Sequence, residues 1–365
     1  MNNKDFLQID WTMKKKKTAI KAKHYLYMAL LLAVVACGFV YYYFFSSFAA
    51  CTEKQYVYID DDDTQDSVFV KLKPWASKHG MVGFTTLARH SSFGERIRAG
   101  RYAVVPGESA FTLLRHMKNG VQDPLNITIP EVRTLDRLAA VLGNRLMADS
   151  CQFSELFADT CFIDSLGYNR QTLPSLFVPN TYSIYWNVTP KAFVERMVKE
   201  HQRFWNNDAR KERAAAMNLT ENEVATLASI IDEETANNGE KPMIAGMYLN
   251  RLRLRNSEYP QGMPLQADPT VKFACGDFTL KRIYHKLLLT DSPYNTYIYP
   301  GLPPGPIKIA SVAGIDAVLH YVEHDYLYMC AKEDFSGTHN FAKTYSEHLI
   351  NAAKYVAALN KRGIK

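Results

Sequence analysis

The chain opens with a lysine-rich stretch, and then Tyr25 to Phe45 carries no charged residue. That length of apolar sequence crosses a bilayer's hydrocarbon core as a helix. Beyond it, short apolar runs of strand period alternate with longer runs of helical period, which predicts a mixed α+β chain. Ser67 to Lys78 has apolar residues near helical spacing, with Gly80 as its stop. Ala99 to Val105 reads as a strand, Pro106 and Gly107 as a turn, and Ser109 to Asn119 as a capped helix ended by Gly120. Asn126 to Ile129 is a strand, followed by a helix over Pro130 to Leu146 with Leu135, Leu138, Ala139 and Leu142 on one face. Further helices are expected over Phe193 to Trp205, over Ile244 to Leu254, amphipathic and bearing Asn250 and Arg251, and over Tyr345 to Asn360, with a buried strand over Tyr326 to Cys330. No internal repeat is visible.

The segment LASIIDEET, Leu227 to Thr235, ends an apolar stripe in three acids. Its helix starts at a T-x-x-E capping box, Thr220 and Glu223, and Val224, Leu227, Ala228 and Ile231 follow at helical spacing. At about 100° per residue, Glu234 falls beside Leu227, Ile230 and Ile231. Asp232 lies about a quarter turn off the other edge of the stripe, and Glu233 points away. A carboxyl at Glu234 meets apolar neighbours, and desolvation would keep it protonated near neutrality as a general acid. The alternative is an acidic last turn facing solvent.

Composition narrows the class. With 365 residues, 47% of them hydrophobic, the chain can bury a full core and has room for two domains plus an anchor. Much of the net charge of +6 sits before the apolar span, in Lys14 to Lys17, Lys21 and Lys23. There it sets topology and meets lipid headgroups, so it does not argue for a nucleic-acid partner. The same rule puts residues 1–24 in the cytoplasm, 25–45 in the membrane and the rest outside, with Tyr41 to Tyr43 at the far interface. A cleaved signal peptide ending near SFAAC (47–51) competes, as does lipid modification of Cys51, but the apolar run is longer than a signal peptide's.

Asp60 to Asp63 reads as a solvated turn, without the spacing of an EF-hand. The six cysteines include no C-x-x-C pair; Cys151 and Cys161 either close a short disulfide or stay as buried thiols. His320 to His324, HYVEH, matches the H-x-x-E-H metalloprotease pattern. The helix from Ser311 should end by Tyr321, so the two histidines would not share a helical face, and no metal ion or cofactor is expected.

After the acidic helix come GMYLNRLRLR (246–255), MPLQADPTVKFACG (263–276), SPYNTYIYPGLPPGPI (292–307) and THNF (338–341). In this order they resemble the MltG/YceG-like family of endolytic murein transglycosylases, over roughly Ile97 to the C-terminus. The resemblance implies an α+β fold with a LysM-like subdomain and linker at 46–124 and a YceG-like catalytic domain at 125–365. FVPNTY (177–182) is similar to the family's aromatic-proline-threonine loop, with Val178 where an aromatic is common. The family's catalytic acid is the second of an E-x-E-T run, which falls on Glu234; the first falls on Asp232, a shorter carboxylate in a supporting role. Gln266, Asp268, Asn295, Thr296 and Tyr297 are implied as substrate-binding cleft walls, with turn stabilisation as the alternative. GLPPGPI is implied as a rigid cleft loop, and His339 in the THNF turn as a substrate contact or a structural group.

The activity implied is internal cleavage of the MurNAc–GlcNAc bond of peptidoglycan glycan strands, leaving a 1,6-anhydroMurNAc end. The place implied is the periplasmic face of the inner membrane, beside peptidoglycan synthases. A non-catalytic peptidoglycan-binding scaffold is one rival. A lysozyme-type hydrolase using Asp232 or Asp268 as its second carboxylate is the other.

Overall fold

The computed structural model describes the backbone of residues 3–280 and 283–363, and side chains from residue 21 onward within that range. The side chains of the Lys14 to Lys17 cluster therefore lie outside the described residues. The chain is mixed α+β and divides into two compact units, one running to Leu125 with Tyr185–Asn187 added, the other comprising Asn126–Ile184 and the chain from Val188.

The first unit begins with α1 (Asn3–Val40), which continues as a π-helical turn over Tyr41–Phe45. Lys21–Phe45 has a mean hydropathy of 2.1 and buries none of its most apolar stretch, so it is one helix long and apolar enough to cross a membrane. Strands β1 (Gln55–Ile59) and β2 (Gly100–Val104) pair antiparallel, Val57 opposite Tyr102. Against them lie α2 (Gln65–Leu72), α3 (Lys78–Arg89) and α4 (Ala110–Asn119) around a core that includes Ile59, Leu72, Phe84, Phe93 and Leu113.

The helix expected over Ser67 to Lys78 is two helices. The first stops at Leu72: Lys73 is still helical at φ −51° and ψ −41°, but Pro74 has no N–H to continue the ladder; Ser77 then caps α3 by accepting the Gly80 N–H. Gly80 is not a stop but a packing position, since a Cβ there would come within 2.7 Å of the Phe48 backbone. The acidic run is a turn in which Asp60 and Asp63 both pair with Lys71, and Asp63 also accepts the Asp60 N–H. The capped helix α4 matches expectation, with Ser109 accepting from Thr112 and Gly120 closing it at φ 69°.

In the second unit β3 (Leu125–Thr128) pairs with β4 (Thr181–Ile184). Between them run α5 (Leu135–Gly143), α6 (Ser150–Ala158) and α7 (Thr160–Ser165). Helix α5 starts five residues later than Pro130, where the Thr134 side chain accepts the Arg137 N–H. Cys151 and Cys161 are exposed free thiols, neither paired nor buried.

Helices α8 (Pro190–Asn206) and α9 (Arg210–Ala216) lead to α10 (Glu221–Glu234), the centre of the unit. It packs against α9, α11 (Lys241–Arg253), α12 (Asp268–Cys275) and α13 (Val312–Leu319). The sequence pattern described one buried stripe, yet every residue from Val224 to Ile231 is buried. Its polar positions are satisfied internally: Thr226 donates to the Asn222 carbonyl, and Ser229 donates to Thr226 and accepts from the Ile307 N–H. A hairpin of β5 (Tyr328–Ala331) and β6 (His339–Ala342) then carries the chain to α14 (Tyr345–Lys361). Strand β5 is half-buried where a buried strand was expected, and THNF begins a strand and not a turn.

Candidate active site

The capping box that starts α10 has both of its hydrogen bonds, so the helix register is set locally at Thr220. Fourteen residues later the helix ends with Glu234, its last residue, beside α11. Tyr248 of α11 is fully buried and donates its hydroxyl to Glu234 Oε1 at 2.9 Å. Three residues on, and therefore on the same helical face, Arg251 is buried as well. Its guanidinium donates to the Leu327 carbonyl at 2.6 Å and to the Leu265 carbonyl at 2.6 Å. It thereby ties α11 to the segment before α12 and to the entry of β5.

These elements enclose a cleft of about 340 Å³. Glu234, Tyr248 and Arg251 form its floor; Gln266, Asp268 and Tyr297 line it from one side, and Tyr328, His339, Tyr345 and His348 from the hairpin and α14. Burial pushes the Glu234 carboxyl from its ordinary 4.5 up to about 7. The Asp268 charge pushes the same way, whereas the Tyr248 hydrogen bond, Arg251 and Lys272 oppose it. Near neutrality this group exchanges a proton in either direction, as an acid–base catalyst requires. Since Tyr248 favours the ionised carboxylate, Tyr248→Phe should move the alkaline limb of a kcat/KM pH profile upward by about one unit. A limb that stays at its parent position would show that the two groups are not coupled.

The other sequence candidates divide into cleft-facing and inward-facing sets. Gln266 and Asp268 are exposed in the cleft. Gln266 holds φ 51°, an uncommon value for a residue with a side chain, while its N–H donates to the Thr296 carbonyl. Asp268 accepts the Tyr297 hydroxyl at 2.6 Å. Burial, and then that bond, hold the Tyr297 phenol above its ordinary range.

Asn295 and Thr296 are instead fully buried and turned away from the cleft. Asn295 donates to the Leu288 and Thr290 carbonyls, and Thr296 Oγ accepts the Ala267 N–H and meets Thr270 Oγ at 2.8 Å. The alternative of turn stabilisation describes both. They hold the Tyr297 loop against the Gln266 segment. His339 is in the cleft wall, where its N–H donates to Glu240 Oε1 at 2.6 Å and its Nδ1 lies 2.9 Å from Oε2.

Asp232 does not reach the cleft. Its side chain is 2% exposed and accepts from Lys241 Nζ at 2.7 Å, Ser311 N at 2.7 Å and Ser311 Oγ at 2.8 Å. It thus closes the end of α10 onto the first turn of α13, an anion at a helix N-terminus. Gly314 leaves room for it, as a Cβ there would approach Asp232 Oδ1 to 2.6 Å. The outward-facing Glu233 pairs with Arg133 at 2.7 Å and Lys308 at 3.5 Å.

In HYVEH, His320 only ends α13. His324 uses both ring nitrogens on backbone groups, Nε2 to the Met243 carbonyl and Nδ1 to the Tyr326 N–H. Sequence reasoning missed Tyr248, Glu240, Lys241 and the α14 residues of the cleft. The helix expected to be amphipathic is instead buried along most of its length, at Lys241, Ile244 to Leu249 and Arg251, so its polar residues find partners inside the fold.

The model of the YceG-like family matches residues 57–354. The chain is 29% identical over 282 residues to the endolytic murein transglycosylase of Bacillus subtilis strain 168, covering 73% of this chain and 75% of that protein. It is 28% identical over 310 residues to the endolytic murein transglycosylase of Streptococcus pneumoniae serotype 2 strain D39, covering 76% of this chain and 54% of that one. A solved YceG-like protein from Listeria monocytogenes aligns with a TM-score of 0.51 at 26% identity, over 82% of this chain and 99% of that chain.

Proposed function

This chain belongs to the YceG-like family, and on that premise we propose that it is an endolytic peptidoglycan lytic transglycosylase with Glu234 as its single acid–base group. The observation that carries the reading is a carboxyl raised to about 7 in a cleft, hydrogen-bonded by a buried tyrosine. In the first half-reaction Glu234 gives its proton to the glycosidic oxygen as the bond to the MurNAc anomeric carbon breaks. In the second, the MurNAc 6-hydroxyl closes onto that carbon and returns a proton to Glu234, leaving a 1,6-anhydro end.

The attacking hydroxyl belongs to the substrate, so proximity is built in and no second carboxylate is required. The arrangement of acids supports this. Asp232 is enclosed by Lys241 and Ser311 and cannot hold a water for attack. Asp268 is the other carboxylate lining the cleft, and it is the residue through which a hydrolase would work. Mass spectrometry of the products separates the two: anhydro ends are one water lighter than hydrolysed ends. Hydrolysed ends alone would overturn the transglycosylase reading, and no cleavage at all would favour a binding scaffold.

The same reading places the chain at the inner membrane as a single-pass protein, its N-terminus cytoplasmic and its catalytic unit periplasmic beside peptidoglycan synthases. The apolar Lys21–Phe45 helix supports an anchor. In this reading the unit carrying β1 and β2 is the LysM-like module, a fold associated with glycan binding. A reporter that folds only outside the cytoplasm, fused to the C-terminus, should be active and stay with membranes after salt washing. Activity only from a cytoplasmic reporter would overturn the topology.

A further inference from the structure

The cleft wall formed by β5 and α14 carries an aromatic group that the acid–base chemistry leaves unused. Tyr328, His348 and Tyr345 meet as a cluster: the His348 ring stacks on Tyr328 at 5.5 Å and 28°, and on Tyr345 at 6.0 Å and 29°. Tyr328 is held from behind by the Arg251 guanidinium, 5.4 Å from its ring centre. All three side chains line the cleft that contains Glu234. Tyr345 is 59% exposed, at the start of a helix whose capping box fixes its position.

His348 adds an unmet hydrogen bond. Its Nδ1 is buried without a partner. A bare lone pair is tolerated in such a place more readily than an unpaired N–H, so the proton belongs on Nε2. Burial, and then the Arg251 charge, hold the imidazole below its ordinary range and therefore neutral. A neutral ring packed beside two tyrosines that also touch each other at 5.7 Å presents one donor next to an exposed apolar ring face. That combination suits a pyranose, which has an apolar face and a rim of hydroxyl and N-acetyl oxygens.

We infer that Tyr345 and His348, backed by Tyr328, form a sugar subsite in which one N-acetylated hexose of the glycan strand packs on Tyr345 and accepts a hydrogen bond from His348 Nε2. This deepens the transglycosylase reading and rests on it. The residues bind and position the strand; they exchange no proton with the scissile bond.

The test uses full-length Glu234→Gln protein, which holds substrate without turning it over, titrated with peptide-free murein glycan strands. Tyr345→Ala and His348→Ala on that background should each weaken binding about tenfold, the worth of one stacking contact or one hydrogen bond. His348→Gln, whose amide N–H reaches the place of Nε2–H, should stay within about threefold of the parent. In the active protein the two alanine variants should raise KM with little change in kcat, and their thermal midpoints should match the parent. Binding within twofold of the parent in both alanine variants overturns the subsite alone. His348→Gln as weak as His348→Ala overturns the donor assignment. No binding by the Glu234→Gln parent overturns both the subsite and the glycan reading beneath it.

Discussion

Glu234→Gln should lower the rate of anhydro-product formation by about two to four orders of magnitude, the usual worth of a general acid–base group. The amide keeps the shape of the carboxyl and can still accept from Tyr248, so what is lost is the exchangeable proton. Stability provides the control. The Glu234 pKa is about 7 in the folded chain against an ordinary 4.5, so the native state binds more protons than the unfolded state between those values. Stability from this group is present below the lower value and lost as pH rises through the upper one. The neutral amide avoids that loss, and at about pH 8 the variant should be at least as stable as the parent. Glu233→Gln, which takes one partner from the exposed Arg133 and one from the buried Lys308 while Lys308 keeps Glu131 at 3.2 Å, should cost about 1 kcal/mol and leave turnover near the parent's. If Glu234→Gln turns over near the parent rate, the assignment fails.

Asp232→Asn should act through the fold. The Lys241 ammonium is 7% exposed, and the amide would leave it buried beside no counter-charge. Removing one member of a buried ion pair costs about 3–5 kcal/mol, a large share of a domain's stability. Denaturant midpoints should fall accordingly, and Lys241→Met should bring a similar loss. In conditions where the Asp232→Asn protein remains folded, activity should persist within about tenfold, because the substitution touches the cleft only through the position of α10. Parent-like stability with abolished turnover would instead place Asp232 in the chemistry. This separates two acids two residues apart on one helix: one closes the fold, the other faces the cleft.

Features written over a few residues were legible in the sequence. The Thr220–Glu223 box, the Ser109 cap with its Gly120 stop, the apolar stretch after Tyr25 and the closing helix from Tyr345 all appear where the pattern puts them. Each depends on atoms within about one helical turn, or on length and apolarity alone. The α+β character follows from the same periodicities. That Glu234 falls on the inward side of α10 was also readable, because helix geometry turns sequence spacing directly into angle, although the group its carboxylate meets there is the Tyr248 hydroxyl.

What a side chain meets across the fold was not readable. Helical periodicity shows a buried stripe but cannot show that neighbours cover the remaining faces, which is why Thr226, Ser229 and Asp232 looked more exposed than they are. The motifs LQADPTV and YNTY named the right segments, yet only packing decided that Gln266, Asp268 and Tyr297 line the cleft while Asn295 and Thr296 turn inward to satisfy backbone groups. Tyr248 reaches Glu234 across fourteen residues, and His348 joins the same cleft from a hundred residues further on. Such encounters are set by the tertiary requirement that buried polar groups find partners and buried faces find cover, and no local pattern encodes them.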